Sequence, residues 1–293
     1  MKFTVFGEIL WDVFGREKKI GGAPFNFAAH AVKMGAEVCF ISAVGDDELG
    51  NEALKECASL GIGTGNIQIP DKPTGCAVVT LDNGTPRYDL VRGAAYDNIL
   101  WPTENGSAAG NGDPLAADVF YFGTLAQRDP VSRESLKKIL ERNSFKEIFF
   151  DINIRQDYYS DEIINDSLKR ATILKISREE IGVLKIAGSP EEICPAVMEK
   201  YPNLKFIIVT LDSDGSFVYT GDGHVIRSPK PKCNVVSTVG AGDSFSAGFM
   251  VSLMNGHSVE KCLETATAIS TFVCEHQEAI PEYTELLVKN LNV

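Results

Sequence analysis

The 293-residue chain predicts an α/β fold, a mostly parallel central sheet with helices on both faces and a small β lid, within one domain spanning 1–293. Three observations predict it. Short β-rich runs alternate with helical patterns through the first third of the sequence, the rhythm of a parallel sheet covered by helices. The same alternation resumes from residue 118, and a hairpin signal separates the two stretches. No long linker, repeat or low-complexity block divides the chain.

In chain order, Phe3 to Phe6 is the first core strand. Ala23 to Met34 reads as a helix, with Pro24 near its start and Gly35 after its end. Val38 to Val44 is the next strand. From Asp47 to Leu60 the apolar positions 49, 53, 57 and 60 share one helical stripe, and Gly61 closes it. Cys76 to Leu81 and Arg87 to Val91 are strands separated by Asp82, Asn83, Gly84 and Thr85, a hairpin signature. Together with residues 13–20, the 74–99 region is expected to form the lid. Residues 102–117, rich in Gly, Asn, Ser, Pro and Ala, read as a surface loop. Beyond it strands are expected near 118–122, 147–151, 173–176 and 205–211, with helices near 131–142, 161–171 and 190–200. Strand-like runs at 216–220, 224–227 and 233–236 then lead to three helices near 241–255, 258–275 and 282–290.

Hydrophobic residues make up 44% of the chain and charged residues 23%, ordinary for a globular protein, and no run approaches the roughly 18 apolar residues of a membrane span. The N-terminal stretch carries Glu8 and Asp12 within its apolar run and lacks a small-residue cleavage site, so it reads as a core strand rather than a secretory signal. Seven cysteines, at 39, 57, 76, 194, 233, 262 and 274, never fall in a C-x-x-C spacing, which fits free thiols in a reducing compartment; the cytoplasm is the expected location. A net charge of −12 and a pI near 4.9 argue against nucleic acid or an anionic membrane as partner, because both ask for clustered Lys and Arg. A nucleotide would then need backbone amides, a helix N-terminus and Mg²⁺ to supply its positive field.

The stretch with most chemical content is Ser237 to Gly248, STVGAGDSFSAG, placed where an open α/β sheet carries its ligand. Gly240 and Gly242, on either side of Ala241, remove side chains where a phosphate must approach backbone amides. Asp243 on the same turn would sit beside that phosphate, a sensible place for a carboxylate that accepts a proton from an attacking hydroxyl. The plainer reading of these four residues is a tight turn with an Asp cap. Near the other end of the chain, Gly21 and Gly22 expose backbone donors, and Asn26 offers both a donor and an acceptor, which suits sugar hydroxyls. Other chemistries fit poorly. Gly45 to Gly50 is followed by Asn51, so no P-loop is present, and Gly61-Ile62-Gly63-Thr64-Gly65 lacks the setting of a dinucleotide fingerprint. The histidines at 30, 224, 257 and 276 are scattered without metal-ligand spacing.

GAGDSFSAG resembles the C-terminal signature of the ribokinase-like, or PfkB, carbohydrate kinases. Gly21-Gly22-Ala23-Pro24-Phe25-Asn26, with Val44-Gly45-Asp46-Asp47 and Gly50 beyond the following helix, resembles their N-terminal signature. The resemblance implies a ribokinase-like fold that phosphorylates a sugar hydroxyl with ATP and Mg²⁺. Asp243 would be the base, and the amides around Gly240, Ala241 and Gly242 would hold the developing charge. Asp12, ending the segment Gly7-Glu8-Ile9-Leu10-Trp11-Asp12, would bind sugar hydroxyls together with Gly21, Gly22 and Asn26.

Phe122 to Arg128 and Asp151 to Arg155 are similar to segments of bacterial fructokinases and 2-keto-3-deoxygluconate kinases. By that likeness Arg155 contacts sugar or phosphate, or else pairs with Asp151, and Asn153 contacts the nucleotide or caps its strand. Lys175-Ile176-Ser177-Arg178-Glu179-Glu180 resembles the family's Asn-x-x-Glu element, in which Glu180 would organise Mg²⁺ and phosphates through water. Thr210-Leu211-Asp212-Ser213-Asp214-Gly215 resembles a nucleotide-contacting turn, giving Thr210 and Gly215 as ATP contacts, with Asp212 in place of a glycine. Ser237 replaces an Asp from a region that in relatives helps hold a monovalent cation. Relatives often dimerise through their lids. The Gly-Gly-Ala-Pro form and the Gly123–Arg128 segment tilt the expected substrate toward D-fructose, giving fructose 6-phosphate. A 2-keto-3-deoxygluconate kinase, with Arg92 and Arg155 facing the substrate carboxylate, is the alternative within the family. A non-catalytic sugar-binding regulator is the alternative outside it, disfavoured by an intact Asp243.

Overall fold

The computed structural model describes residues 1–14, 17–82, 85–101, 115–228, 230–285, 287 and 291. The chain opens with β1 (Lys2–Phe6), β2 (Leu10–Phe14), β3 (Glu17–Gly21), α1 (Ala23–Lys33), β4 (Glu37–Ala43), α2 (Glu48–Ser59) and β5 (Ile67–Gln68). A hairpin follows, β6 (Gly75–Asp82) and β7 (Thr85–Leu90). Strands and helices then alternate as β8 (Val119–Gly123), α3 (Pro130–Arg142), β9 (Glu147–Asp151), α4 (Asp161–Leu168), β10 (Ile173–Ser177), α5 (Pro190–Lys200) and β11 (Phe206–Thr210). β12 (Ser216–Thr220), β13 (Val225–Arg227), α6 (Ala241–Met254) and α7 (Val259–Cys274) complete the described elements.

Nine strands form one sheet in the order β13-β12-β11-β10-β9-β8-β1-β4-β5. The strands from β11 to β5 run parallel, and β12 and β13 add an antiparallel edge. Successive side chains of a strand point to opposite faces, and both faces are apolar here. Phe120 and Phe122 of β8 enter the core that holds the buried residues of α3, α4 and α5, whereas Val119 and Tyr121 enter the core built with α1, α6 and α7. Phe149 and Phe150 of β9 divide the same way. On the α1 side Phe27 stacks on Tyr121 at 3.8 Å between ring centroids. Two-faced burial explains why these strands read as continuous apolar runs.

The remaining four strands form a second sheet, β3-β2-β6-β7, with β2 and β6 parallel and the outer pairs antiparallel. Asp47 ties it to the body of the fold. One of its oxygens accepts from the Gly50 amide at 2.7 Å and the Thr74 hydroxyl at 2.6 Å, and the other from the Thr74 amide at 2.8 Å, just before β6. Burial would raise this carboxyl, but those hydrogen bonds hold it below its usual range.

The structure departs from the sequence expectations in a few places. Residues 233–236 form no strand. There the amides of Val236 and Ser237 donate to the Cys274 carbonyl at the end of α7, and Val235 and Val236 are exposed, so a β-rich four-residue segment is used as a surface crossing. The expected 161–171 helix ends earlier, at Leu168, and the two-residue β5 carries no sequence signal. The hairpin turn at Asn83 and Gly84, most of the 102–117 loop and much of the expected 282–290 helix lie outside the described residues. Among the described residues no helix is long and apolar enough to cross a membrane, and all seven cysteines are free thiols.

His30, fully buried on α1, fastens this helix to the chain after α7. Its Nε2 donates to the Ala279 carbonyl at 2.9 Å, and its Nδ1 accepts from the Tyr283 hydroxyl at 2.6 Å, which sets the tautomer. Burial lowers its pKa from 6.5 to about 4. The unfolded chain therefore binds a proton that the folded chain refuses, and the stability due to neutral His30 is present above pH 6.5 and lost as pH falls toward 4. The expected loss is about 3 kcal/mol across that window. Denaturant melts at pH 7 and pH 4.5 should show it as a smaller acid sensitivity in His30→Gln than in the parent protein, and equal sensitivity would refute this account.

Candidate active site

A cavity of about 1180 Å³ lies between the second sheet and the C-terminal ends of β9 and β10. Asp12 and Gly21 reach it from β2 and β3, and Gly22 and Asn26 from the start of α1. Asn153 and Arg155 line it from the loop after β9, and Gly240, Gly242 and Asp243 from the start of α6. The glycines are there because backbone comes too close for a side chain. Gly22 has φ 109°, and a Cβ on it would lie 2.6 Å from the Glu8 carbonyl oxygen. Gly240 has φ 79°, and a Cβ there would lie 2.7 Å from the Ala279 carbonyl oxygen. These two residues are the N-caps of α1 and α6, so both helices begin at the cavity wall.

The first turn of α6 has an anion-binding shape. The Ala241 amide is turned to the Thr238 carbonyl at 3.2 Å, and Ala241 does not line the cavity, contrary to its expected place among the anion-hole donors. Among the described residues nothing accepts from the Gly242 and Asp243 amides, which are first-turn donors without an intrahelical partner. Asp243 is 9% exposed, and its Oδ2 accepts from Asn26 Nδ2 at 2.7 Å. Burial raises its pKa, while the Asn26 bond and the charges of Lys175 and Arg155 pull the other way.

Beneath this turn lies a buried ion pair that sequence reasoning missed. Lys175 and Asp151 stand opposite each other in the β9–β10 register, and both share the parity that faces α1 and α6. Lys175 Nζ meets Asp151 Oδ1 at 3.1 Å; the other oxygen accepts from the Ser246 hydroxyl of α6 at 2.9 Å and from the Tyr121 hydroxyl at 3.3 Å. Lys175 also lines the cavity, and a Cβ on Gly242 would sit 3.2 Å from its amine. Burial opposes the charge on Lys175, yet Asp151, Glu180 and Asp243 together hold its pKa above the usual value. Burial lifts Asp151 to about 6 against the pull of Lys175. The signal was present in the sequence as a lone Lys inside ILKIS and an Asp closing EIFFD after three apolar residues, charged groups set into apolar runs. Glu8, buried on the cavity wall, was also missed.

Several expected site residues stand elsewhere. Arg92 is exposed, does not line the cavity, and stacks its guanidinium 4.5 Å over the Tyr158 ring. Arg155 lines the cavity, and Asp151 is taken by Lys175 instead. Glu180 braces two loops: one oxygen accepts from the Ile154 amide at 2.7 Å, the other from the Ser177 amide at 2.8 Å. Thr210 and Gly215 lie outside the cavity lining, in a turn where Asp212 adopts φ 52°, a left-handed conformation that Asp tolerates and glycine usually supplies. Asn153 is likewise left-handed, with φ 41°. In the Gly123–Arg128 segment only Leu125 reaches the cavity. Gln127 bonds Gly123 and Ser167, and Arg128 is held by Asp97 and the carbonyls of Leu90 and Val91, which fixes the end of β7.

The sequence signature of the pfkB family carbohydrate kinases matches residues 2–285, and the chain belongs to that family. Over 271 residues it is 27% identical to a 5-dehydro-2-deoxygluconokinase of Geobacillus thermodenitrificans, covering 87% of this chain and 78% of that protein. The crystal structure of an uncharacterized sugar kinase from Pyrococcus horikoshii in complex with ATP superposes with a TM-score of 0.80 at 25% identity, covering 96% of this chain and 94% of the other. A fructokinase with bound ATP from Xylella fastidiosa shares the fold, with a TM-score of 0.83 at 22% identity over 99% of this chain and 97% of its own.

Because Gly240 is both left-handed and pressed against the Ala279 backbone, Gly240→Ala should destabilise the protein by at least about 1–2 kcal/mol from backbone strain alone. A thermal melt within a degree of the parent would show that the α6 start can relax around a side chain.

Proposed function

We propose that this carbohydrate kinase transfers the γ-phosphoryl group of ATP to a hydroxyl of a ketohexose, D-fructose at its 6-hydroxyl, with Asp243 as the base. The observation that carries this reading is the buried Asp243 carboxylate, held by Asn26 within one cavity that Asp12, Gly242 and Arg155 also line. Asn26 engages Oδ2 and leaves Oδ1 for the sugar hydroxyl. As the hydroxyl oxygen bonds to the γ-phosphorus, its proton passes to Asp243, and the bond from phosphorus to the departing ADP oxygen breaks. The amides of Gly242 and Asp243 face the charge on the transferred group, and the Lys175 ammonium stands behind them. Asp12, opposite Lys19 in the β2–β3 register and with its Oδ2 close over Gly21, is suited to accept from sugar hydroxyls.

The second sheet covers the sugar side of the cavity and acts as the lid. Its closure excludes water that would otherwise hydrolyse the activated phosphate. Mg²⁺, which neutralises phosphate charge when bound, would enter with the nucleotide. Among the described residues no three His, Cys, Asp or Glu side chains gather to hold it, and Glu180 has only its outer lone pairs left for a water-mediated contact. A second reading, a kinase of keto-deoxy sugar acids, draws on Arg155 at the cavity wall and on relatives that carry such names.

A coupled ADP-release assay over neutral ketoses, aldoses and keto-sugar acids tests the reaction and its substrate together. Asp243→Asn should lower kcat on the order of 10²–10⁴-fold with an unchanged melting temperature, and near-normal turnover would sink the assignment. Asn26 donates to the ionised carboxylate and so lowers its pKa. Asn26→Ala should therefore move the acidic limb of the kcat–pH profile to higher pH, and an unmoved limb would detach Asn26 from the base.

A further inference from the structure

Two buried acceptors on the cavity wall have no partner among the described residues. Glu8 is 3% exposed and its Oε2 bonds nothing; Asn26 is 5% exposed and the same is true of its Oδ1. They share one corner of the cavity. The Asn26 amide donates to the Gly22 carbonyl at 2.9 Å, and a Cβ on Gly22 would lie 3.4 Å from Glu8 Cγ. A buried polar atom without a hydrogen bond carries the full cost of its desolvation, so such atoms persist in a native fold where a ligand or water completes them. Both atoms sit on the wall beside Asp243, and the reaction described above leaves Glu8 without a role.

We propose that Glu8 is a specificity-determining residue, its Oε2 accepting a hydrogen bond from a sugar hydroxyl other than the one phosphorylated, so that the site selects a fully hydroxylated neutral sugar over a deoxy sugar acid. The inference rests on the kinase reading. The charges around the corner support it. Glu8, Asp12 and Asp243 all line the wall, so a substrate carboxylate placed there meets like charge, and of the two arginines expected to receive one, only Arg155 reaches the cavity. Burial lifts Glu8 to about 7, with Asp243 adding to the rise and its own backbone amide, Arg155 and Arg128 opposing it. The carboxyl is thus able to serve as acceptor or donor near neutrality. A hydroxyl, which donates and accepts, suits both forms, whereas a carboxylate suits only the protonated one. A position built for a hydroxyl also rejects the deoxy analogue strongly, because the protein acceptor is then left buried and unpaired.

The test measures kcat/KM for the best neutral sugar, for each of its monodeoxy analogues and for keto-deoxy sugar acids, in the parent enzyme and in Glu8→Gln and Glu8→Leu. One deoxy analogue is expected to fall by at least about 10²-fold in the parent enzyme. Glu8→Leu should lower the intact sugar by a similar factor but that one analogue far less, and Glu8→Gln, which keeps an acceptor, should recover most of the discrimination. A merely structural Glu8 would depress every substrate alike, and that pattern overturns the proposal while leaving the kinase reading intact. Preference for the sugar acids in the parent enzyme also overturns it. If Glu8→Leu does not fold, the parent enzyme and Glu8→Gln decide: a parent that discriminates against no deoxy analogue by more than about threefold refutes the hydroxyl contact. If no sugar elicits ADP release, the kinase reading fails instead, and calorimetric binding of the same deoxy series, with the same criteria, still decides Glu8.

Discussion

The hydrogen bond from Asn26 to Asp243 joins side chains 217 positions apart, and the geometry of the cavity depends on it. It exists because α1 and α6 pack side by side on one face of the sheet, each starting at a glycine that no side chain could replace without striking a neighbouring carbonyl. Gly22 brings the α1 start against Glu8, and Gly240 brings the α6 start against Ala279. His30, one turn beyond Asn26, binds the same Ala279 carbonyl. The two helix starts and the segment after α7 therefore hold one another in register, and Asp243 is oriented by the body of the fold rather than by a mobile loop.

An acidic chain with a net charge of −12 concentrates carboxyl groups even where an anionic phosphate is expected to sit. Glu8, Asp12, Asp151 and Asp243 all have pKa values raised by burial. The counterweight is local. Lys175 is paired with Asp151, Arg155 faces the cavity, and the α6 start presents unpaired amides. A buried ion pair of this sort adds little net stability, because removing two charges from water offsets their attraction. Its consequence here is placement: it fixes a positive charge 3.2 Å from where a Gly242 side chain would begin, below the first turn of α6.

What could be read without the structure follows from how local each constraint is. GAGD and GGAPFN were legible because a left-handed backbone pressed against a neighbouring carbonyl requires glycine, at Gly22 and Gly240, within a short stretch of chain. The strands were legible because both faces of the sheet are buried, so nearly every position in them is apolar. Residues 233–236 have the same β-rich composition and form no strand, since their amides find the end of α7 before any strand edge. Glu8 and Lys175 were missed for a related reason. Lys175 sits inside an apolar strand and Glu8 in the short crossing between β1 and β2, and nothing in the neighbouring sequence tells whether either points to solvent, to a partner or to a ligand.

The sequence by itself determined the α/β alternation, the start of α6, the Asp243 carboxylate within it and the family, all of which follow from patterns a few residues long. Only the tertiary structure decided which distant groups meet. It set Asp151 against Lys175 rather than Arg155, turned Arg92 onto Tyr158 and away from the cavity, and employed both Glu180 oxygens as loop braces. It also left Glu8 and Asn26 each with an acceptor that no group among the described residues satisfies. Long side chains with several candidate partners take the one that sheet register and helix packing bring within about 3 Å, and that choice is made by contacts far apart in the chain.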